Sequence, residues 1–426
     1  MISVLDVITR PINTNYCASY LLIYVLLLVL SFSGTALGQS NNLDSLIPLN
    51  GIEGKFEVLT DGIFPNKDPH IGKGLFPLPD YYIWKRKIST NLGLDYVFVS
   101  SPIYQFSAQK GNVTSNIEND LLGKWRIIEN EKTKANVSFW FLHINNFTNL
   151  TTSDFSKQEG LSLETNLGDI PYQNYVSIMG LWWEQSFNKD KLLFRIGHIN
   201  SNMVWGNNTY INDDRDGFMN TVSSSQMGTS WVGNRSLGAQ ISFIEPRYYA
   251  AVGFQDANTD QRYPDFSNFF KGPVILHFEL GWTPTFSTGS GKYSFTVSNV
   301  QNPDGAYNYS YLLNMRQEII VDKVGVFARF GTQSNAGSNP VKSALTTGVF
   351  LNNVFGYASD AIGLAYVYAQ ASNPLYGKDQ GFEVFYRMLL TDRLDATFDV
   401  QYFFEVSNSV ISTNTLVSSF RLRFIL

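Results

Sequence analysis

From about residue 90 onward, apolar side chains fall at every second position in segments of roughly ten residues, and Gly, Asn, Asp, Ser and Pro separate the segments. A period of two marks an extended strand with one apolar and one mixed face. In the segment from Phe382 to Leu390, one face carries Phe382, Val384, Tyr386, Met388 and Leu390, the other Glu383, Phe385, Arg387 and Leu389. The next segment repeats the pattern, with Leu394, Ala396, Phe398, Val400 and Tyr402 against Asp395, Thr397, Asp399, Gln401 and Phe403. Between them, Thr391-Asp392-Arg393 is a loop length that closes an antiparallel hairpin. The same reading places strands near residues 88–99, 123–130, 135–144, 175–187, 190–198, 236–244, 247–255 and 274–283. Others follow near 291–299, 311–321, 323–331, 343–352, 360–370, 380–390, 393–403 and 413–424. The total is about sixteen, an even number in the range used by bacterial barrels.

Connection lengths alternate as well. Short turns at Asn188-Lys189, Pro246, Asp322 and Asp392 alternate with long polar stretches at 199–235, 256–273, 332–342 and 404–412. Short periplasmic turns and longer external loops are what a two-sided outer membrane imposes. A bilayer offers no hydrogen-bond partners, so every strand N–H and C=O must pair within the protein, which a closed barrel achieves. Residues 88–426 are therefore predicted to form an all-β, transmembrane antiparallel β-barrel. Trp182, Trp183, Tyr248, Tyr249, Tyr366, Tyr368, Tyr402 and Phe404, near strand ends, suit the interfacial aromatic girdles. The chain ends Phe420-Arg421-Leu422-Arg423-Phe424-Ile425-Leu426. Such an alternating terminal strand is what barrel-assembly machinery reads, although Leu426 stands where an aromatic is usual. Residues 39–87 do not alternate and are rich in Gly, Asn and Pro, as in Phe76-Pro77-Leu78-Pro79, which suggests a periplasmic extension or an inward plug. Asp80 to Thr90 is an alternative short helix before the first strand.

Composition agrees with this picture. Of the 426 residues, 15% are aromatic and only 16% charged, against about 25% charged in ordinary soluble domains. Mean hydropathy is −0.09, which excludes a helical membrane protein and fits strands that are apolar on one face. The formal net charge of −5 provides no basic face for nucleic acid. Leu21 to Leu30 is an apolar run of signal-peptide length, too short to span a bilayer as a helix. Ala36-Leu37-Gly38 follows with small residues at a cleavage site, so residues 1–38 are expected to be removed and the mature chain to begin near Gln39. The single cysteine, Cys17, lies inside that segment, so disulfides and cysteine metal sites are not expected to stabilise the mature protein. The expected location is the bacterial outer membrane.

The stretch Gly381 to Val406, with its Glu383-x-Phe385-Tyr386-Arg387 strand, short turn and Asp399-x-Gln401-Tyr402 strand, is similar to the penultimate hairpin of the OprB-type carbohydrate-selective porins. Leu192 to Gly197 (LLFRIG), with Phe218-Met219-Asn220 downstream, also resembles that family's glycine-ended strand and F-x-N loop. The resemblance implies a 16-stranded outer-membrane barrel that passes monosaccharides and similar neutral solutes by diffusion through a constriction. It implies outer-membrane lipids and small sugars as partners.

Charges on the mixed strand faces are the candidate pore-lining residues. The hairpin register places Arg387 opposite Thr397, with Asp395 and Asp399 as diagonal neighbours. Such a lattice of opposite charge can narrow a lumen and orient sugar hydroxyls, or simply brace the wall. Glu383, Arg421 and Arg423 share that face, and alternation elsewhere points Lys124, Arg126, Arg195, Glu279, Glu318 and Arg329 inward. Trp140 is a candidate ring for stacking on a sugar. Enzymatic signatures are lacking: His70, His143, His198 and His277 have no H-E-x-x-H spacing, and neither a G-x-S-x-G elbow nor a P-loop occurs. No metal or cofactor site is expected. The leading expectation is a passive channel for small hydrophilic solutes; the alternatives are a non-conducting binding, adhesin or anchoring barrel and a secreted β-rich enzyme.

Overall fold

The computed structural model describes residues 69–72 and 79–426, apart from 167–172, 213–214, 216, 258–261, 268, 270, 302–304 and 336–338. The expected signal peptide and most of the 39–87 segment lie outside the described residues. Helix α1 (Pro79–Leu92) precedes β1 (Leu94–Ser107), β2 (Val113–Glu129) and β3 (Thr133–Asn146). After helix α2 (Thr152–Gln158) come β4 (Asn174–Phe187) and β5 (Leu192–Asn200), then helices α3 (Ser201–Val204) and α4 (Thr221–Ser224). The remaining strands are β6 (Arg235–Glu245), β7 (Tyr248–Asp256), β8 (Val274–Trp282), β9 (Thr285–Phe286), β10 (Gly289–Gln301), β11 (Tyr307–Ile320) and β12 (Val324–Gln333). They continue as β13 (Val341–Asn352), β14 (Ala361–Ala371), β15 (Lys378–Leu389), β16 (Leu394–Glu405) and β17 (Thr415–Ile425).

Each long strand pairs antiparallel with its sequence neighbour, while β9 is a two-residue stub beside β10. Because β1 also pairs with β17, the sheet closes into a sixteen-strand barrel. Closure runs to the last residue: Phe98 N–H donates to the Leu426 carbonyl at 2.9 Å and Leu426 N–H returns to Phe98 at 2.8 Å. That pairing leaves no edge strand to be satisfied by solvent. The alternation behaves as predicted on β15 and β16, where Phe382, Val384, Phe398, Val400 and Tyr402 are exposed on the outer wall and Glu383, Phe385, Thr397, Asp399 and Gln401 are buried inside. The turn sites Asn188-Lys189 and Asp322 adopt positive φ (54°, 56° and 57°), the left-handed backbone that Asn and Asp tolerate best.

Three expectations are corrected. The first strand begins at Leu94, not near 88, because residues 79–92 are helical, the alternative considered for Asp80 to Thr90. Strand β2 starts at Val113, well before 123, since its first half reads Ser-Asn-Ile-Glu-Asn-Asp and presents few apolar side chains to betray its period. Trp182 and Tyr249 are not girdle residues. They are buried while their neighbours Trp183 and Tyr248 face outward, as side-chain alternation requires of any adjacent pair in a strand.

The N-terminal arm is fastened to the barrel end that carries the short turns. The His70 ring stacks on Tyr357 with centroids 3.7 Å apart, and its Nε2 lies 2.8 Å from Asp360. Ile71 N–H donates to the Leu390 carbonyl at 2.9 Å. Helix α1 is held where Arg126 Nη2 donates to the Ser89 carbonyl at 2.9 Å and the Arg393 guanidinium sits 3.8 Å over the Tyr82 ring.

Candidate functional site

Among the described residues, parts of two long connections fold into the lumen. The first, 147–173, begins with α2, whose start is capped where Asp154 N–H donates to Thr151 Oγ1 at 3.2 Å. It then lays Leu161 and Leu163 against Val341, Val367 and Phe403 of the wall. Its Thr165 carbonyl accepts from Gln105 of β1 at 3.2 Å and from Gln401 of β16 at 2.9 Å.

The second connection, 201–234, crosses the barrel. Gly206 N–H donates to Glu279 of β8 at 2.7 Å, and Asn208 Nδ2 donates to Asn314 of β11 at 3.0 Å. Arg329 of β12 donates to the Ser225 carbonyl at 2.6 Å, and Ser223 lies 3.0 Å from Thr346 of β13. Phe218 wedges between Phe327 and Phe385, with ring centroids at 5.3 and 4.8 Å. The next two residues are fixed by one carboxylate: Met219 and Asn220 N–H donate to Glu383 Oε1 at 2.5 and 3.0 Å. Asn220 then caps α4 by accepting from Val222 N–H at 2.9 Å and donates to Gln401 at 3.0 Å. Two backbone donors converging on one buried oxygen satisfy both N–H groups and fix the loop at that point.

On the opposite side of the ring from β11, the same loop reaches β2 through Arg215. Its Nε donates to Asp120 at 2.6 Å, its Nη2 to Glu118 at 2.7 Å, and its guanidinium lies 5.1 Å from the Trp140 ring centroid. Trp140 in turn donates to Asp120 at 2.6 Å. A cation, two carboxylates and an indole thus converge, largely buried, where the loop closes on the wall.

The structure sorts the residues singled out from the sequence into four settings. Glu383, Arg329, Glu279 and Arg421 hold the inward loop; Arg421 donates to the Gly217 carbonyl at 3.3 Å and to Thr397 at 3.0 Å. Glu279 also accepts from Tyr249 at 2.5 Å and Thr296 at 2.7 Å. Others pair along the wall. Arg423 Nε donates to Asp395 at 2.7 Å, and Arg195 to Glu184 at 2.6 Å and Gln240 at 2.9 Å, with Lys124 3.8 Å from the same glutamate. Asp399 accepts from Gln401 at 3.0 Å, Glu318 accepts from Ser290 N–H at 2.7 Å, and Arg387 lies opposite Thr397 in the ladder, as the hairpin register required. Arg126 sits apart at the rim, 3.3 Å from Asp95 and 3.2 Å from Glu129. Only Trp140 belongs to the Arg215 cluster. Arg215, Glu118 and Asp120 were missed: the two acids lie in the unrecognised half of β2, and Arg215 stands in a polar loop where the one signal is an arginine within Asp213-Asp214-Arg215-Asp216.

The model of the carbohydrate-selective porin OprB family matches residues 85–298 and 287–426, most of the chain. The chain belongs to the OprB family of carbohydrate-selective porins. Pseudomonas putida OprB at high pH shares the fold with a TM-score of 0.66 at 14% identity, covering 80% of this chain and 96% of that one. Its low-pH structure gives 0.56 at 12% identity, covering 83% and 99%. A Rhodopseudomonas blastica porin mutant gives 0.50 at 8% identity, covering 78% and 100%. No curated protein sequence matches. The porin is thus an outer-membrane channel of a family named for carbohydrates, and the two motifs noted in its sequence meet: the Glu383-x-Phe385 strand supplies the carboxylate and ring that hold Phe218-Met219-Asn220.

Proposed function

We propose that this porin passes small neutral sugars, monosaccharides in the first instance, by passive diffusion past the 201–234 loop. Selection then occurs beside Arg215, Glu118, Asp120 and Trp140, with Arg387, Asp399 and the other inward charges forming a weaker approach. The observation that carries this reading is the crossing of the lumen by a loop held at several points along its length, to Glu279 and Arg329 through Gly206 and Ser225 and to Glu118, Asp120 and Glu383 through Arg215, Met219 and Asn220. A loop held in that way sets a fixed aperture. Conduction through it needs interactions strong enough to admit a hydroxylated ring and weak enough to release it. Guanidinium and carboxylate groups offer planar hydrogen-bonding geometry to vicinal hydroxyls, and the indole offers an apolar face to the ring.

Liposome swelling tests this. Vesicles containing the full chain should swell quickly in glucose or another monosaccharide, and much more slowly in a trisaccharide of the same osmolarity. Arg215→Ala should narrow that difference. Equal swelling in both sugars by the parent protein would refute size selection at the loop.

A further inference from the structure

The lipid-facing wall of the barrel is not uniformly convex. Across β10 to β15 it carries an apolar groove of about 590 Å³, within the ~300–1,000 Å³ range of pockets that enclose a small organic ligand. Tyr293 and Phe286 form one bank, both packed against Trp282 at 5.2 and 5.9 Å between ring centroids. Tyr366 and Phe382, 5.6 Å apart, form the other. Between them the floor drops to shorter side chains, Met315, Val326, Thr347 and Val349.

Among the described residues lining the groove none is charged, and four of its five polar side chains are hydrogen-bonded within the protein. Tyr293 OH donates to Gln317 at 2.9 Å, Gln317 Nε2 to the Glu318 carbonyl at 2.8 Å, Thr347 Oγ1 to the Phe327 carbonyl at 3.1 Å, and Tyr366 OH to Gln380 at 2.6 Å. Such a surface has little to offer water and suits hydrocarbon. Its position along the strands is equally specific. Val326 is two residues from the start of β12 and pairs with Val349 near the end of β13, so the floor lies toward the end of the barrel that carries the short, periplasmic turns. Crossing from β10 to β15 at ~4.8 Å per strand, the groove runs about 24 Å around the wall, oblique to the membrane normal because barrel strands tilt by ~35–45°.

We infer that this groove is a binding site for one acyl chain of a glycerophospholipid from the periplasmic leaflet. It is continuous with the lipid-contacting wall, and its depth sets it apart from the leaflet exposed to the cell exterior.

Native mass spectrometry of the full-length porin, purified in mild detergent with added palmitoyl-oleoyl phosphatidylethanolamine, tests the inference. One phospholipid should survive collisional activation on the parent protein and on Val400→Trp, a substitution elsewhere on the outer wall. Thr347→Trp and Val349→Trp, which fill the groove, should lose it while keeping the heat-modifiable gel mobility of a folded barrel. Should a tryptophan prevent folding, Val349→Leu fills less and should still weaken retention relative to Val400→Trp. Equal retention by every folded variant would overturn the proposal. So would a parent protein that runs as a dimer and is made monomeric by Thr347→Trp, which would assign the groove to a second copy of the chain.

Discussion

Replacing Glu383 by alanine should free the middle of the lumen-crossing loop without opening the barrel. The carboxylate accepts from Met219 and Asn220 N–H at 2.5 and 3.0 Å and is buried. A hydrogen bond contributes about 0.5–1.5 kcal/mol net, so losing both costs the closed loop about 1–3 kcal/mol. Two restraints remain nearby: Phe218 stays seated between Phe327 and Phe385, each ring pair adding ~0.5–1.5 kcal/mol, and Asn220 still reaches Gln401. A shift of about 1–3 kcal/mol corresponds to roughly a 5- to 150-fold rise in the population of opened loop. Wall hydrogen bonds are untouched, since Glu383 contributes to the ladder only through its backbone. Hydrogen exchange should therefore quicken at residues 217–222 and not in β15, and single-channel traces should show larger or noisier conductance. Glu383→Gln, which keeps an acceptor oxygen for both N–H groups, should stay close to the parent protein. Unchanged exchange at Met219 and Asn220 in a folded Glu383→Ala barrel would refute the anchoring argument.

Further expectations follow from the same contacts. Arg195→Met strands Glu184 in a buried setting, and breaking such a pair costs about 3–5 kcal/mol, so the barrel should lose heat resistance on gels; the double variant Arg195→Met, Glu184→Leu should recover much of it. Arg387→Ala, on the inner face opposite Thr397, should alter relative permeation of sugars while leaving the folded mobility intact. A collapse of that mobility would assign Arg387 to the wall. Helix α1 should dock more tightly as pH rises. Burial, helped by the nearby Arg393 and opposed by Asp95, pulls Lys85 from 10.5 down to about 8. The undocked helix therefore holds its proton to higher pH than the docked one, and docking gains stability between pH 8 and 10.5. Tyr82, pushed up to about 12 mainly by burial, stays protonated through most of that window. Hydrogen exchange in α1, corrected for its intrinsic pH dependence, should slow from pH 7 to pH 9.5, and Lys85→Met should abolish the trend.

The barrel was legible because strand pairing in a membrane imposes a pattern on every residue. At the hairpin around Asp392, alternation alone placed Arg387 across from Thr397, and the ladder has that register. What alternation cannot convey is where a loop goes after it leaves the wall. The inward path of 201–234 depends on Glu383, Arg329 and Glu279 meeting backbone atoms far away in sequence, and a polar loop that folds inward resembles one that faces water. The same limit explains why inward charges looked like a selectivity lattice when several of them hold the loop or pair along the wall. Strand β2 shows the weakness of the period itself: where the outward positions are Ser115, Ile117 and Asn119, the apolar face fades and Glu118 and Asp120 go unnoticed.

Planar-bilayer recordings of the detergent-refolded full chain, with glucose titrated into one chamber, put a channel narrowed by a sugar-recognising loop at direct risk. Stepwise conductance that glucose partly blocks in the millimolar range, with the block weakened in Arg215→Ala, is the predicted result. No conductance from a demonstrably folded barrel, or open steps indifferent to sugar in both proteins, would contradict it.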